Sequence, residues 1–480
     1  MTDLKQILID RFGLTDFRLG QQEVIEAVLQ GRDTMIVMPT GSGKSLCFQL
    51  PALLLDGITI IVSPLIALMK DQTDALTSKG IPATFLNSSL SQGDYSRRVG
   101  EILQGKYKLL YIAPERFGNI EFCGLVQTLN ISLLVVDEAH CISQWGHDFR
   151  PDYRKLKQAR KMMKNPPVLG ATATATPEVR VDVIAQLEMK NPLVKITGFD
   201  RPNLTLIGAQ YCDDNTKVKE FEKEIENVFK TGKMSPAIIY CGTRNICEIL
   251  STQFNKLAKN RYGIERLSCP YHAEMPKEDK EIVQESFQDN TIHWVVATIA
   301  FGMGIDKPDI RNIWHYTIPG SVESYYQEVG RAGRDGLPST CKLFYSQKDI
   351  GLRHFFTEIS HPQKWVFEAT HKMIRRLVPP GEYRDLKYDE IAREISKKSI
   401  IQGQVKTCLT LLKHQGVFSA PMRGRIAIPI TFPRFENLHI DYDDIQARKQ
   451  REMDRLEDMK GLVEANDKKK YILKYFGEIV

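Results

Sequence analysis

Short hydrophobic runs alternate along the chain with stretches in which apolar residues recur at helical spacing. Runs typical of strands in a parallel sheet lie at Met35–Met38, Thr59–Val62, Leu109–Ile112, Leu133–Val136 and Val168–Leu169. Residues 1–34, before the first run, carry amphipathic patterns that predict helices. This alternation predicts a mostly parallel sheet covered by helices on both faces.

A second cycle of the same kind predicts a second lobe. Its strands are expected at Ala237–Tyr240, Trp294–Ala297, Asn312–His315 and Cys341–Tyr345. The stretch Lys190–Asn203 contains prolines and a glycine and is expected to be the linker between the lobes. The fold class is therefore predicted to be α/β, with two tandem parallel-sheet lobes.

After about Ile350 the pattern becomes helical. Two helices and a wing hairpin are expected at Ile391–Ile395, Val405–His414, Gly416–Phe418 and Arg425–Ile430, around Pro421 and Gly424. About residues 375–432 are thus interpreted as a winged helix, with a generic helical bundle as the alternative. The tail Asp441–Phe476 has interleaved charges and predicts one solvated helix. The expected domains are 1–197, 198–348 and 349–480.

Composition changes this interpretation little. The 480 residues predict roughly three domains, and the net charge of +6 favours a polyanionic partner only weakly. The nine cysteines include no C-x-x-C pair, so neither a zinc nor a redox motif is indicated, and they are expected to be reduced inside a cell. The sequence has no signal peptide and no apolar run of bilayer length, so no membrane partner is expected.

The strongest chemical signal is Met38–Ser45, directly after the first predicted strand. Gly41 and Gly43 allow backbone amides to turn towards a phosphate. Lys44 would reach the β- and γ-phosphates of a nucleotide, and the Ser45 hydroxyl would ligate Mg²⁺. The pattern predicts a phosphate-binding loop; the alternative is a glycine-rich turn with a chance Lys-Ser pair.

Two acids, Asp137 and Glu138, follow the strand Leu133–Val136. Ligands of parallel sheets bind at the carboxyl ends of the strands, so these acids are expected beside the phosphate loop. Asp137 would hold Mg²⁺ and Glu138 would orient the water that attacks the γ-phosphate.

Phosphoryl transfer also needs cations that stabilise negative charge in the transition state. Gln327–Gly336 offers Arg331 and Arg334, which would share one face if the segment is helical. We expect these guanidinium groups to enter the nucleotide site from the second lobe, and a surface ion-pair cluster is the alternative.

Thr172 and Thr174 follow the strand Val168–Leu169. Small hydroxyl groups at this place can transmit the nucleotide state to a neighbouring lobe. An equally simple alternative is an ordinary loop in which these hydroxyl groups serve only as caps.

These motifs, in their order across residues 12–346, resemble those of superfamily 2 helicases and, among them, the RecQ family. Further segments that carry the resemblance are Phe17–Gln21, Ser63–Gln72, Tyr111–Arg116, Gly170–Thr176, Phe199–Asn203, Tyr240–Arg244, Tyr271–Ala273 and Ala300–Pro308. The most discriminating is Cys141–Tyr153, which resembles the aromatic-rich loop of RecQ helicases. Trp145 and Phe149, with His147 and Arg150, would stack on unpaired bases.

The resemblance implies two RecA-like lobes that use ATP and Mg²⁺. Nucleotide contacts are implied for Leu14, Arg18, Gln21, Thr40, Ser42, Gly304 and Asp306, and a catalytic role for Gln327. Leu14 stands where the family commonly has an aromatic residue, which would weaken adenine stacking. Contacts to the DNA backbone are implied for Ser63, Pro64, Thr243 and Thr298.

The chain departs from the family near its end. Many RecQ proteins carry a four-cysteine zinc module, and here Asp467 stands where the first of those cysteines would be. No zinc is therefore predicted, and the chain is either shortened or a zinc-free variant.

The expected function is that of an ATP-dependent DNA helicase, which moves 3′ to 5′ on single-stranded or forked DNA in repair, recombination or replication. The alternatives are an RNA helicase and an ATP-gated DNA clamp or annealing factor. The expected location is inside the cell with DNA, in the cytoplasm or nucleoid of a bacterium or the nucleus of a eukaryote. The sequence indicates no particular protein partner.

Overall fold

The computed structural model describes residues 3–211, 213–230, 235–302, 305, 307–420 and 425–479. The chain folds into two compact units. The first unit consists of Met1–Gln210, Lys217–Tyr345 and Leu462–Val480, and the second of Tyr211–Thr216 and Ser346–Gly461. The three domain ranges expected from the sequence stay a prediction.

The first lobe of the first unit is built on a seven-stranded parallel sheet. Its strands are β1 (Thr34–Val37), β2 (Ile58–Val62), β3 (Ala83–Leu86), β4 (Leu109–Ile112), β5 (Ile131–Asp137), β6 (Val168–Thr172) and β7 (Leu193–Ile196). They lie in the order β3-β4-β2-β5-β6-β1-β7. The carboxyl ends of β1 and β5 therefore meet at one edge of the sheet, separated by β6 alone.

Helices accompany the strands of this lobe. They are α1 (Leu4–Ile7), which continues into a π-helix at Leu8–Phe12, α2 (Gln21–Leu29), α3 (Leu46–Leu54), α4 (Ile66–Ser78), α5 (Gln92–Leu103), α6 (Ile120–Thr128), α7 (Leu156–Met162) and α8 (Pro177–Gln186). The apolar faces of the first helices join the sheet in one core, which includes Val24, Phe48 and Ile61. No helix among the described residues combines the length and the hydrophobicity needed to cross a membrane.

One strand lies where the sequence predicts a linker. β7 pairs with β1 at the edge of the sheet, so the linker interpretation of Lys190–Asn203 is wrong for Leu193–Ile196. Alternate residues of β7 are exposed, because only one face of this edge strand is covered. Lys195 interrupts its apolar residues, so the strand lacks the continuous apolar run that identifies the central strands.

The second lobe of the first unit has its own sheet. Its strands are β8 (Leu204–Tyr211), β9 (Ala237–Tyr240), β10 (Ser268–Tyr271), β11 (Trp294–Ala297), β12 (Asn312–His315) and β13 (Ser339–Ser346), in the order β10-β11-β9-β12-β13-β8. The pairings among β9 to β13 are parallel. Its helices are α9 (Asp214–Lys230), α10 (Arg244–Tyr262), α11 (Lys277–Gln288) and α12 (Val322–Val329). The prediction of two tandem parallel-sheet lobes is confirmed.

The second unit is mainly helical, as predicted. Its elements are α13 (Gln347–Ser360), α14 (Lys364–Leu377), β14 (Tyr383–Asp385), α15 (Tyr388–Ile395), α16 (Ser399–His414) and β15 (Arg425–Ala427). β14 and β15 are antiparallel, and Ser419 bridges to Ala427. The winged-helix interpretation of about residues 375–432 stays a prediction, and Pro421 and Gly424 of the expected wing lie outside the described residues.

The C-terminal tail forms two helices instead of the single solvated helix that its charge pattern predicts. These are α17 (Tyr442–Glu464) and α18 (Lys468–Tyr475), and the Asp467 carboxylate caps α18 by accepting a hydrogen bond from the Lys470 N–H. In the first unit, Phe476 is fully buried and stacks on Phe199 with ring centroids 4.3 Å apart. A large apolar side chain therefore anchors the end of a segment that is rich in charged residues.

Replacing Phe476 by alanine is expected to destabilise the first unit by about 3–5 kcal/mol, because it leaves a cavity against Phe199 and Tyr326. Thermal melting would measure the change, and Lys474→Ala, at an exposed position in the last turn of α18, is the matched control. Equal melting temperatures for the two variants would contradict the anchoring role.

Candidate active site and nucleic-acid interface

The phosphate loop Met38–Ser45 connects β1 to α3 in the first lobe. Gly41 and Gly43 have φ values of +82° and +84°, which side chains rarely adopt. A Cβ on Gly43 would also lie 2.7 Å from Gln21 Nε2. Both glycines are therefore required by the shape of the loop.

Side chains at the start of α2 and just before it hold this loop. The buried Gln21 donates from Nε2 to the Ser42 carbonyl at 3.2 Å, and its Oε1 accepts the Arg18 N–H at 2.8 Å. Arg18 Nη1 donates to the Gly41 carbonyl, and Leu14 is largely exposed. The adenine contacts expected for Leu14, Arg18 and Gln21 stay a prediction.

β5 carries Asp137 and Glu138 to the carboxyl edge of the sheet. Burial, together with the charge of Glu138, raises the pKa of Asp137 to about 7, although Lys44 acts in the opposite direction. A nearby divalent cation stabilises such a carboxylate, and Ser45 lines the same cavity with a hydroxyl. This oxygen donor set fits Mg²⁺.

Glu138 has an unusual backbone conformation at the end of β5. Its φ of 47° and ψ of 49° lie in the left-handed region, which costs free energy for a residue with a side chain. Its Oε2 makes no hydrogen bond within the described part of the chain and lies 3.4 Å from His140 Nδ1. A buried carboxylate oxygen of this kind can bind and orient a water molecule.

A chain of hydrogen bonds leads from this edge to the second lobe. His140 Nδ1 lies 2.8 Å from Thr172 Oγ1, which donates to the Thr174 carbonyl at 3.3 Å. Gln327 on α12 donates from Nε2 to Thr174 Oγ1 at 3.1 Å. Burial keeps the pKa of His140 well below its usual value, so the ring is neutral. The two threonines thus form a polar path between the lobes.

The arginines lie in Gly330–Gly336, here named the arginine turn, which follows α12. Their interpretation as neighbours on a helix face is wrong, because the helix ends before this segment and two of its glycines have positive φ. Arg331 is buried and donates from Nη1 to the Gly302 carbonyl. The stem of Arg334 packs over the phosphate loop, where a Cβ on Gly41 would lie 3.3 Å from Arg334 Cγ.

A cavity of about 450 Å³ lies between the two lobes of the first unit. Its lining includes the predicted residues Arg18, Thr40, Gly41, Gly43, Lys44, Ser45, Ser63, Asp137, Glu138, Gln327, Arg331 and Arg334. Gly304 and Asp306, also predicted, lie outside the described residues. The apolar part of the lining is not predicted from the sequence; Phe48, Leu68, Tyr111 and Ile305 contribute to it.

The aromatic-rich loop Cys141–Tyr153 is packed against the residues that follow Glu138. The His147 ring stacks on His140, with centroids 4.4 Å apart and planes 18° apart. A Cβ on Gly146 would collide with the His140 carbonyl oxygen. The loop therefore cannot shift without disturbing the backbone that carries the acids.

The two large aromatic side chains of this loop have different surroundings. Trp145 is 54% exposed, which argues against a core role. Phe149 is half-buried beneath the Arg154 guanidinium, 4.9 Å from the ring centroid. Arg150 Nη1 donates to the Pro64 carbonyl at 3.2 Å and fixes the loop against the end of β2.

The other residues with implied DNA contacts are scattered over both lobes. Ser63 is buried and lines the cavity between the lobes. Thr243 caps α10 by accepting the Ile246 N–H at 3.3 Å, and Thr298 directly follows β11. The DNA contacts expected for these residues stay predictions.

Among the described residues, His140, Cys141 and Asp148 form the one group that could offer three ligands to a metal ion. Burial raises the pKa of Cys141 well above its usual value, which disfavours the thiolate that a metal needs. Asp148 already pairs with Arg150 at 3.0 Å. This group does not favour zinc, and the expected absence of zinc stays a prediction.

Two family models match the chain, one for each lobe. The DEAD/DEAH box helicase model matches residues 18–182, and the helicase conserved C-terminal domain matches residues 216–336. With the two sheets and the cavity between them, these matches define the class of protein as a two-lobed helicase of the DEAD/DEAH-box type.

Curated relatives narrow the class. ATP-dependent DNA helicase RecQ of Bacillus subtilis is 42% identical over 75% of this chain and 59% of its own length, and the probable ATP-dependent DNA helicase RecS of the same organism is 41% identical over 74% and 69%. The chain belongs to the RecQ family of helicases. RecQ of Pasteurella multocida is 42% identical over 73% of the chain and 54% of its own length. The chain thus spans little more than half the length of the two RecQ relatives.

Solved structures with low sequence identity share the fold. The Mycobacterium smegmatis helicase Lhr, bound to single-stranded DNA and AMP-PNP, has a TM-score of 0.58 at 19% identity, over 89% of this chain and 60% of that one. The DEAD-box helicase Mss116, bound to single-stranded RNA, has a TM-score of 0.60 at 13% identity, over 98% and 95%. These likenesses show the two-lobed fold alone.

Proposed function

We propose that this chain is the motor of an ATP-dependent DNA helicase. The observation that carries the proposal is the cavity of the first unit, which Lys44 and Glu138 line from the first lobe and Arg331 and Arg334 from the second. The names of the RecQ relatives, ATP-dependent DNA helicases, support the same activity.

In the proposed reaction the phosphates of ATP lie against Gly41–Ser45, where Lys44 neutralises charge on the β- and γ-phosphates. Ser45 and Asp137 would hold Mg²⁺, which would supply further positive charge beside the phosphates. Glu138 orients a water molecule and accepts its proton as the water oxygen attacks the γ-phosphorus. The bond to the β–γ bridging oxygen breaks, and ADP and phosphate are the products.

The second lobe completes this site in the proposed mechanism. Arg331 and Arg334 stabilise the negative charge on the transferred phosphoryl group. Gln327 reports the nucleotide state through its hydrogen bond to Thr174. Since these groups lie on the second lobe, hydrolysis depends on the distance between the lobes and can drive their movement.

DNA is the proposed track. The exposed Trp145 lies on a loop whose other side contacts His140. A base stacked on the indole can therefore affect the position of Glu138 at the carboxyl edge of the first sheet. Movement 3′ to 5′ on single-stranded DNA and unwinding of forked duplexes are proposed from the family, as is a role in repair, recombination or replication.

Single-stranded DNA is expected to stimulate ATP hydrolysis by this chain much more than RNA of equal length and sequence, and a forked DNA duplex is expected to be unwound. Steady-state ATPase and strand-separation assays on one preparation would measure both, with a blunt duplex as the control substrate. Equal stimulation by RNA would favour the RNA helicase alternative. DNA-stimulated hydrolysis without strand separation would favour the clamp or annealing factor.

A further inference from the structure

Arg201 lies between the two lobes of the first unit and donates hydrogen bonds to both. Its Nη1 donates to the carbonyl oxygens of Thr40 at 3.4 Å and Gly330 at 3.2 Å. Its Nη2 donates to the carbonyl oxygens of Ala332 at 2.8 Å and Gly333 at 3.1 Å. No carboxylate of the described residues pairs with this side chain, so four carbonyl oxygens hold the guanidinium.

The four carbonyls belong to the two segments that surround the phosphates of a bound nucleotide. Three lie in the arginine turn, just after α12, where a helix leaves carbonyls unpaired and a cation is favourable. The fourth, that of Thr40, lies in the phosphate loop directly before Gly41. One planar fork therefore links the phosphate loop to the turn that carries Arg331 and Arg334.

Contacts within the second lobe leave the arginine turn little room to move. Asn203 donates from Nδ2 to the carbonyls of Gly333 at 2.9 Å and Leu337 at 3.1 Å. A Cβ on Gly333, whose φ is +54°, would lie 2.7 Å from Ser339 Oγ. Asn203 thus fixes the end of the turn inside the second lobe, whereas Arg201 connects its start to the first lobe.

We propose that Arg201 is a positioning residue for ATP hydrolysis, which sets the place of Arg331 and Arg334 relative to the phosphate loop. The inference rests on the proposed function, because it assumes that these arginines stabilise the transition state. All four hydrogen bonds come from one rigid group, so movement of either segment acts on the other. A lysine at this position can replace the fork only in part, since a single ammonium cannot span all four carbonyls.

Arg201→Ala is expected to lower kcat of the DNA-stimulated ATPase by about 100-fold, because a displacement of about 1 Å at catalytic groups has an effect of that size. The Kd for a fluorescent ATP analogue should change less than about threefold, since the lost contacts act in the transition state. Arg201→Lys should recover part of kcat. Lys469→Ala is the matched control, because Lys469 Nζ donates to the carbonyl of the adjacent Pro202.

A double variant tests whether Arg201 acts through Arg331. Arg201→Ala added to Arg331→Ala should lower kcat by much less than it does in the wild type, because one of the two groups that it positions is already absent. The inference would be overturned if the decreases in kcat were additive in the double variant, or if Arg201→Ala had a normal kcat. It would also be overturned if kcat fell in parallel with the melting temperature in both Arg201→Ala and Arg201→Lys. A wild-type chain without ATPase activity would overturn the proposed function and this inference together, whereas an active wild type with an equally active Arg201→Ala would overturn the inference alone.

Discussion

Replacing Lys44 by alanine is expected to abolish ATP hydrolysis by this chain. Lys44 lines the cavity beside Asp137, whose carboxylate it stabilises. Without the ammonium group, the β- and γ-phosphates lose the cation that the phosphate loop provides. Steady-state ATPase with saturating single-stranded DNA would measure the loss, which should leave no activity above background.

Glu138→Gln is expected to separate nucleotide binding from hydrolysis in the same assay. An amide fills the same space but cannot accept a proton from water, so the variant should bind a fluorescent ATP analogue normally while kcat falls by at least about 100-fold. Glu188→Gln is a matched control, since Glu188 also has a left-handed backbone conformation, with φ of 48°, and forms surface ion pairs with lysines. Near-normal turnover in either Lys44→Ala or Glu138→Gln would contradict the site assignment.

The sequence predicts the central strands well because burial on both faces leaves continuous apolar runs. Leu109–Ile112, Ala237–Tyr240 and Trp294–Ala297 have the predicted limits. The edge strand Leu193–Ile196 is missed, because Lys195 interrupts its apolar run and a proline and a glycine lie close to its ends. The sequence therefore predicts strands that are buried on both faces, whereas a strand at the edge of a sheet has a weaker hydrophobic signal.

Local geometry in the site is predictable for similar reasons. A strand that ends at Asp137 must bring Asp137 and the following Glu138 to the carboxyl edge, and the two glycines of the phosphate loop have the positive φ values that such a loop requires. Helical geometry for Arg331 and Arg334 fails, because the glycines of the arginine turn end the helix.

The contacts between the lobes cannot be predicted from the pattern of the sequence. The hydrogen bond from Gln327 to Thr174 joins residues 153 positions apart, and that from Arg201 to Thr40 joins residues 161 apart. Neither hydrophobic spacing nor motif order fixes the distance between two sheets. The role of Arg201 therefore becomes visible only when both lobes are in place.

Replacing Trp145 by alanine is expected to uncouple DNA binding from ATP hydrolysis. The indole is 54% exposed, so its removal leaves the fold intact and removes one stacking platform. Stacking on one aromatic side chain is worth roughly 1–3 kcal/mol per base, whereas contacts to phosphates supply most of the salt-sensitive affinity. DNA affinity should therefore fall only about tenfold, but DNA-stimulated ATPase and unwinding should fall much further, and the low DNA-free ATPase should persist.

The reason for this large effect is the way the loop is held. Gly146 packs on the His140 carbonyl and His147 stacks on the His140 ring, two residues from Glu138. A base stacked on Trp145 is therefore connected to Glu138, at the carboxyl edge of the first sheet, by a short and rigid set of contacts. DNA affinity, both ATPase rates and unwinding should be measured on one preparation whose melting temperature is known. Trp365→Ala, which removes another exposed tryptophan outside this loop, is the control. If DNA stimulation survives in Trp145→Ala and only the melting temperature falls, the indole supports the fold and does not sense DNA.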